Sequence, residues 1–205
     1  VAANGRMFLA TGHIAHHKRE EPWLNTLLAR NGYNGTELWR RQLPDGYLVH
    51  RSAFVALGDS LYMIDTDGSG CVELDAKTGE EQRRIDVLFR RGFWKWMAIQ
   101  DGVLLAMLGP KQDPPETTLI RSDRAHWSWG ELSKGYYPDR IPWGFGNRLV
   151  AFDLESGDVL WEHRAESIID SRGLAIGGGR VFVYSPDADI SSRDLKTGQP
   201  LWVNA

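Results

Sequence analysis

The 205-residue sequence predicts an all-β fold built from repeated four-stranded antiparallel units. The first observation is a phrase that occurs four times, in which a turn glycine is followed four residues later by Trp or, once, by Arg. The phrases are Asn31–Trp39, Asp75–Arg83, Asp153–Trp161 and Asp194–Trp202. The second observation is a short turn upstream of each phrase, followed by alternating apolar residues, at Asn4-Gly5, Gly58-Asp59, Asp101-Gly102 and Gly178-Gly179. A unit that recurs at this scale indicates stacked supersecondary elements.

The spacing of the turns separates a basic unit from its enlarged versions. From the four upstream turns to the next phrase glycine, the distances are 30, 20, 55 and 19 residues. The basic unit is therefore the one in which 19 or 20 residues separate the turn from the glycine. The first unit therefore carries about ten extra residues and the third about thirty-five. We predict units over 1–44, 45–88, 89–166 and 167–205, with insertions at about 13–26 and 110–145.

The last unit shows how each element follows from the residues. A Gly-Gly turn separates apolar runs at 174–176 and 181–184, an acidic turn at 185–189 leads to a strand at 190–194, and Gly198 turns the chain into 200–202. Such turns between alternating runs are hairpin signals. In each phrase, Asp or Asn can bond its own backbone, while Gly supplies the positive φ of a tight turn. Repeated four-stranded units of about forty residues predict a β-propeller, whereas helical repeats would show 3.6-residue spacing.

The phrases resemble the PQQ-like propeller repeat, with its A-x-D-x-x-T-G-x-x-x-W pattern, found in quinoprotein dehydrogenases and in the outer-membrane assembly lipoprotein BamB. The match is most specific at 195–202 and 150–161, and it weakens where Asn31 replaces Asp and Arg83 replaces Trp. The resemblance implies that blade docking involves the motif Trp and turn Gly residues, and that the junction at Arg83 packs differently. These blade-docking residues are Trp39, Trp161, Trp202, Gly35, Gly79, Gly157 and Gly198.

The resemblance also implies a ring of seven or eight blades. About four are present, so we expect this chain to be a segment whose remaining blades belong to the same parent chain. A complete four-bladed ring is the alternative.

Composition excludes several classes of function. The net charge is -3, and the basic pairs are short and scattered, so the sequence lacks the clustered Lys and Arg residues typical of nucleic-acid binding. No apolar run approaches the length of a membrane span. The single cysteine, Cys71, excludes an internal disulfide.

Both insertions fall between the second and third strands of their units, and in a propeller these connections emerge on one face. We therefore expect that face to bind a protein partner or a small ligand. The larger insertion is dense in aromatic residues that can stack on a sugar, a quinone or another ring. The candidate ligand-binding residues are His126, Trp127, Trp129, Tyr136, Tyr137 and Trp143. The alternative is that they form a small core for the loop itself.

Two segments contain residue types that bind metals, but neither supports an assignment. His13, His16 and His17, followed by Glu20 and Glu21, can supply ligands, although His16 would point away from the other two on a strand. The acidic turn at 65–70 looks like the start of a calcium loop, yet position 76 holds Ala where an EF-hand needs a bidentate Glu. The simpler interpretation is that the histidines are solvent-exposed loop residues and that the acidic segment is a hairpin turn.

The sequence offers no catalytic assignment. The quinoprotein resemblance implies adjacent cysteines over the quinone, a calcium ion held by Glu and Asn, and a catalytic Asp; this chain has one Cys and no matching set. Asp170 and Glu166 lie near a blade junction without further support. We predict a noncatalytic scaffold that binds a protein or a ligand. The alternatives are a fragment of a PQQ-dependent alcohol or sugar dehydrogenase, with PQQ and calcium, and a metal- or haem-linked electron-transfer protein. The resemblance implies the periplasm or cell envelope.

Overall fold

The computed structural model describes residues 1–11, 26–44, 53–86, 92–110, 144–186 and 188–204. These residues form four antiparallel four-stranded sheets, in which each strand pairs with the next one along the chain. Sheet 1 contains β1 (Ala2–Ala3), β2 (Arg6–Thr11), β3 (Thr26–Asn31) and β4 (Glu37–Gln42). Sheet 2 contains β5 (Phe54–Leu57), β6 (Ser60–Ile64), β7 (Gly70–Asp75) and β8 (Glu81–Asp86). The predicted all-β class, with four four-stranded sheets, is confirmed.

The second half of the chain repeats this arrangement. Sheet 3 contains β9 (Phe93–Gln100), β10 (Val103–Gly109), β11 (Phe145–Asp153) and β12 (Val159–Asp170). A single 3₁₀ turn (Ser171–Gly173) leads to sheet 4, which contains β13 (Leu174–Gly177), β14 (Arg180–Ser185), β15 (Asp189–Asp194) and β16 (Pro200–Asn204). Sheet 3 thus continues past the expected boundary at residue 166. No helix within the described ranges is long and apolar enough to cross a membrane.

The turn between the third and fourth strands has the same geometry in every sheet. In sheet 2, Oδ1 of Asp75 accepts the backbone N–H groups of Lys77 and Thr78 at 2.6 and 3.0 Å. The N–H of Gly79 donates back to the carbonyl of Asp75 at 2.8 Å, with a φ of 76° at the glycine. Asn31, Asp153 and Asp194 accept the equivalent pairs of bonds in the other sheets. A short carboxylate or amide followed by glycine therefore specifies this turn, because one supplies the acceptor and the other tolerates the positive φ.

A second hydrogen bond ties this turn to the hairpin between the first and second strands. The residue after the Asp or Asn donates its N–H to a carbonyl of that hairpin, at 2.7 to 2.9 Å; the pairs are Gly32 to Gly5, Ala76 to Asp59, Leu154 to Gly102 and Leu195 to Gly179. Both tight turns of a sheet therefore lie at the same end, which we call the tight-turn end. The connection between the second and third strands leaves from the other end, the connection end.

The core consists of three hydrophobic clusters, each shared by two successive sheets. Sheets 1 and 2 bury Phe8 and Leu27 against Leu61 and Leu74. Equivalent clusters join sheet 2 to sheet 3 and sheet 3 to sheet 4. The first strands of successive sheets are in contact, β1 with β5, β5 with β9 and β9 with β13. Because each fully buried Leu or Phe contributes about 1.5 to 3 kcal/mol, the junctions between sheets are the main source of stability.

Candidate functional site

Hydrogen bonds at the tight-turn ends align the four sheets. The indole Nε1 of Trp39 in sheet 1 donates to the carbonyl of Ala76 in sheet 2 at 3.0 Å. Trp161 in sheet 3 donates in the same way to Leu195 in sheet 4 at 2.8 Å. At the middle junction, the guanidinium of Arg83 donates to the carbonyl of Leu154. All three acceptors follow the Asp of the turn directly, so the tight-turn ends lie on one face of the molecule. The connection ends of all four sheets form the opposite face, which we call the connection face.

At two of the four turns, a tryptophan of the preceding sheet covers the turn glycine. A Cβ at Gly79 would lie 2.7 Å from the ring of Trp39, and one at Gly198 would overlap the ring of Trp161. The two other turn glycines are not covered in this way. Among the described residues, a Cβ at Gly35 would meet nothing within 4 Å, and one at Gly157 would meet only Ile85, at 3.8 Å. Trp202 is 40% exposed and lies beside Phe182, with ring centroids 6.4 Å apart.

Arg83 is part of a paired substitution at the middle junction. Its Nη1 donates to the carbonyl of Glu155 at 2.6 Å, and its Nε bonds the carboxylate of Glu73 on the neighbouring strand. Glu73 also accepts from Ser60 at 2.6 Å and from Tyr62 at 2.9 Å. Burial raises the pKa of Glu73, but these donors outweigh it and hold the pKa below its usual value.

The role of Glu73 was missed by the sequence analysis, although a signal for it exists. In register, Trp39, Trp161 and Trp202 face Ala29, Ala151 and Ser192, whereas Arg83 faces Glu73. Position 73 is the Ala position of the repeat pattern. In this unit both the Ala and the Trp of the pattern are replaced, by Glu and Arg. The joint replacement by residues of opposite charge indicates an ion pair, where the other units place a small residue beneath an indole ring.

The candidate binding residues of the larger insertion lie outside the described part of the chain. This applies to His126, Trp127, Trp129, Tyr136, Tyr137 and Trp143, and equally to His13, His16, His17, Glu20 and Glu21. The strands that carry this insertion are described up to its root. There, a Cβ at Gly109 would clash with the carbonyl of Phe145, and one at Gly146 with the carbonyl of Leu108. The two backbones therefore approach closely where the insertion leaves the connection face.

Within the described part of the chain, one cleft lies between sheets 1 and 2 and another between sheets 3 and 4. The first, between sheets 1 and 2, has a volume of about 230 Å³ and is lined by Arg41, Pro44, Met63 and Asp65 among others. The second, between sheets 3 and 4, has a volume of about 290 Å³; its polar lining includes His163, Arg164, Glu166, Asp189 and Arg193. The second cleft contains His163, the histidine within the described part of the chain.

His163 is not arranged as a catalytic base. Nη2 of Arg193 lies 3.0 Å from Nε2 of His163, and since a guanidinium only donates, Nε2 must be the accepting nitrogen. Burial, reinforced by the charge of Arg193, lowers the pKa of His163. The imidazole is therefore neutral at pH 7, its lone pair already accepts a hydrogen bond, and the Nδ1–H remains available only as a donor.

The thiol of Cys71 and the carboxylates of Asp65, Asp67 and Asp170 are also engaged. Burial raises the pKa of the Cys71 thiol to about 12, helped by the charge of Glu73, so the thiol stays protonated at neutral pH. Asp65 pairs with Arg84, and Asp67 accepts from Ser69, in the hairpin turn at 65–69. Asp170 is buried and binds Arg172. No group of three His, Cys, Asp or Glu side chains within the described ranges is placed to hold a metal ion.

Sequence similarity to known proteins supports the resemblance to the PQQ-like repeat. The family described as "Outer membrane protein assembly factor BamB" matches residues 143–205. A 1-butanol dehydrogenase (quinone) from Thauera butanivorans is 38% identical over 64 residues, which cover 27% of this chain and 10% of the dehydrogenase. Outer membrane protein assembly factor BamB from Francisella salina is 31% identical over 61 residues, which cover 30% of this chain and 11% of the relative. Each match therefore spans about a tenth of the relative's length.

A solved structure extends the comparison of the fold to the whole chain. The quinohemoprotein alcohol dehydrogenase from Comamonas testosteroni superimposes with a TM-score of 0.56 at 14% identity, over 100% of this chain and 34% of that one. This likeness concerns the fold alone. The sequence matches support the resemblance of the phrases to the PQQ-like propeller repeat, and the family model does so over residues 143–205.

Proposed function

We propose that this chain is a noncatalytic scaffold whose connection face binds a protein partner. One observation carries the proposal: the two longest connections of the repeat, after β2 and after β10, both leave from that face. Loops grafted onto a rigid scaffold are where propellers and other repeat folds carry their binding functions. The aromatic residues of the larger insertion, Trp127 and Trp129 among them, are the side chains proposed to make the contact.

The chemistry of the described residues favours binding over catalysis. Cys71 remains a protonated, buried thiol, and the accepting nitrogen of His163 is bonded to Arg193. The carboxylates of Asp65 and Asp170 pair with arginines. None of these groups is available as the nucleophile or the general base that a reaction would need.

The described residues do not fit a PQQ and calcium site. Calcium needs several converging oxygen ligands, and the carboxylates of the acidic turn are instead occupied by Arg84 and by the turn itself. Adjacent cysteines, which the quinoprotein resemblance implies, are not present in a chain with one Cys. No step involving PQQ is therefore assigned to this chain.

The names of the relatives suggest a partner class and a location. BamB proteins are named as assembly factors for outer membrane proteins, so the proposed partner is a protein of that assembly process and the proposed location is the cell envelope. The second candidate is a segment of a PQQ-dependent alcohol or sugar dehydrogenase, favoured by the 38% identity to the 1-butanol dehydrogenase (quinone).

Calorimetric titration of PQQ, with and without Ca²⁺, separates the two candidates. A scaffold is expected to give no heat of binding in either case. Tight, calcium-dependent binding would overturn the scaffold and favour the dehydrogenase segment.

A pair of substitutions tests the binding face itself. Trp127→Ala with Trp129→Ala is expected to reduce retention of detergent-solubilised outer-membrane assembly proteins on the immobilised chain by at least tenfold, with little change in Tm. The control is Tyr33→Ala, because Tyr33 is a 90% exposed aromatic residue at the opposite, tight-turn end. A large fall in Tm with unchanged retention would instead make Trp127 and Trp129 core residues of the loop.

A further inference from the structure

The cleft between sheets 3 and 4 lies where another junction of the chain is filled by apolar side chains. Arg193 and Phe152 occupy the same register position on the third strands of sheets 4 and 3. Phe152 belongs to one hydrophobic cluster with Ile85 of sheet 2, and both side chains are buried. Ile85 stands two residues after the motif position, where sheet 3 has His163. Arg193 and His163 therefore replace an apolar pair, and the cleft of about 290 Å³ opens beside them.

The guanidinium of Arg193 forms the cationic end of this cleft. Its Nη1 donates to the carbonyl of Gly198 at 2.9 Å, and its Nη2 donates to Nε2 of His163 at 3.0 Å. Among the described residues, no carboxylate lies within ion-pair distance of Arg193. A half-buried charge is costly unless an opposite charge compensates it. This end of the cleft therefore offers the guanidinium and the Nδ1–H of His163 to a carboxylate, which binds such donors strongly.

The middle and the far end of the cleft have a different character. Val183, Ser191 and Val203 lie side by side on three neighbouring strands and line the middle of the cleft, which is therefore largely apolar. Asp189 lies at the connection end of β15, four residues from Arg193, or about 13 Å along the strand. The lining thus passes from a cation, through an apolar stretch, to a carboxylate.

The remaining charged groups of the cleft leave its formal charge at zero. Arg164 and Arg193 are balanced by Glu166 and Asp189 in the lining. Within the described part of the chain, Arg164, Glu166 and Asp189 form no ion pair. A multiply charged anion therefore gains no net attraction, whereas a ligand with one charge of each sign matches the two ends.

The cleft between sheets 1 and 2 shows the contrast. There, Arg41 occupies the position of His163 and pairs with Glu81 at 3.7 Å. Asp65, which also lines that cleft, pairs with Arg84. These two charges have partners within the protein, so the first cleft has less need of a charged ligand than the second.

We infer that the cleft between sheets 3 and 4 binds a small linear amino carboxylate, with its carboxylate on Arg193 and the Nδ1–H of His163 and its ammonium on Asp189. The separation of Asp189 and Arg193 requires ligand charges several bonds apart, further than in an α-amino acid, and the apolar middle suits methylene groups. The volume lies at the lower limit of the roughly 300 to 1,000 Å³ of ligand pockets, which suits a small ligand. The site uses no residue of the insertions and is separate from the proposed partner binding.

Calorimetric titration with 6-aminohexanoate tests the inference. Hexanoate and hexylamine each lack one of its charges, and inorganic phosphate probes for a simple anion site. The dissociation constant of 6-aminohexanoate is expected to be at least tenfold lower than that of either single-charge probe, with no binding of phosphate. Absence of 6-aminohexanoate binding would overturn the proposal, and so would phosphate binding of equal strength.

Two variants identify the ends of the site. Arg193→Leu introduces the residue that sheet 2 has at this register position, Leu74, and is expected to weaken 6-aminohexanoate binding at least tenfold. The matched control is Arg180→Leu, which removes the same charge from an exposed position of sheet 4 outside the cleft lining and should leave binding unchanged.

Asp189→Asn tests the acidic end. It should reduce the affinity for 6-aminohexanoate to that for hexanoate, while the affinity for hexanoate itself does not fall. Equal weakening of both ligands would contradict the assigned orientation, and wild-type binding by Arg193→Leu would exclude the cleft as the site. Circular dichroism establishes that each variant retains the fold; if Arg193→Leu does not, the two affinities of Asp189→Asn decide the outcome.

Discussion

At the scale of single residues, Glu73 and Arg83 replace a hydrophobic contact by an ionic one. Glu73 is 8% exposed and accepts from three side chains, while Arg83 links it to the carbonyls of the next sheet. A buried ion pair is costly to break from one side, because the remaining charge stays desolvated. The two residues should therefore behave as a unit, like the Trp and Ala pairs of sheets 1 and 3.

A double-mutant cycle tests this coupling. Arg83→Trp alone is expected to destabilise the protein by about 3 kcal/mol, because it leaves Glu73 buried beneath an indole, and Glu73→Ala alone by about 1 to 2 kcal/mol. The double variant recreates the pair found at Trp39 and Ala29 and should recover most of the loss. Free energies of unfolding from urea titrations measure all three variants. Additive losses would contradict the idea that the positions are coupled.

His163 predicts a pH dependence of stability. Burial and the charge of Arg193 lower its pKa in the folded state, so the unfolded chain binds the proton more readily. The stabilising contribution is fully present above the unfolded value, about 6.5, and decreases as the pH falls below it. Asp189, which lines the same cleft, opposes the shift but does not reverse it.

Substitution of His163 by Gln isolates this effect. The amide oxygen of His163→Gln can accept from Arg193 but cannot titrate. The difference in Tm between wild type and variant should therefore be nearly constant above pH 7 and should shift in favour of the variant between pH 7 and pH 5. Thermal melts across that range measure it, and the other histidines cancel in the comparison. A difference that is independent of pH would show that His163 does not titrate in this window.

At the scale of strands and turns, the sequence predicts the hairpins well because their determinants are local. The strands expected in the last unit, such as 190–194, agree with β15 (Asp189–Asp194) because Gly and Asp at fixed offsets determine the turns on either side. The two-residue strand β1 is not predicted by the sequence, since two residues are too few to show an alternation of apolar and polar side chains. Pairing across sheets, as between Arg83 and Leu154, depends on packing that no local pattern encodes.

The candidate binding site was predictable only in outline. The placement of the insertions between second and third strands follows from the spacing of the turns, and the strand order agrees with it. The roles of Trp127 and Trp129 stay a prediction. The same indole ring can pack in the core of a loop or contact a ligand, so the residue type alone does not separate the two roles.

The docking tryptophans lead to a prediction at the scale of the junction. Trp161→Ala removes the ring over Gly198 and the bond to Leu195, and is expected to destabilise the protein by about 3 kcal/mol on large-to-small precedent. Leu160→Ala is the control, because Leu160 is the neighbouring residue on the same strand and is 44% exposed. Chemical denaturation of both variants measures the effect. Equal losses would mean that the indole does not hold the two sheets together.

At the scale of the whole molecule, the sheets form a row in which each contacts its neighbours. The three hydrophobic clusters join sheets 1 and 2, 2 and 3, and 3 and 4 respectively. In such arrays, stability is close to a sum of unit and nearest-neighbour contributions, and local opening can occur at one junction while another remains intact.

Hydrogen exchange measured by mass spectrometry tests this local behaviour. Trp161→Ala weakens the junction of sheets 3 and 4 and should accelerate exchange in β13 to β16 while β2 and β3 stay protected. Trp39→Ala, the matched change at the junction of sheets 1 and 2, should give the reverse pattern, because the two tryptophans make the same contact in different places. Faster exchange in all four sheets with either variant would mean that the chain unfolds as one cooperative unit and that the nearest-neighbour description is wrong.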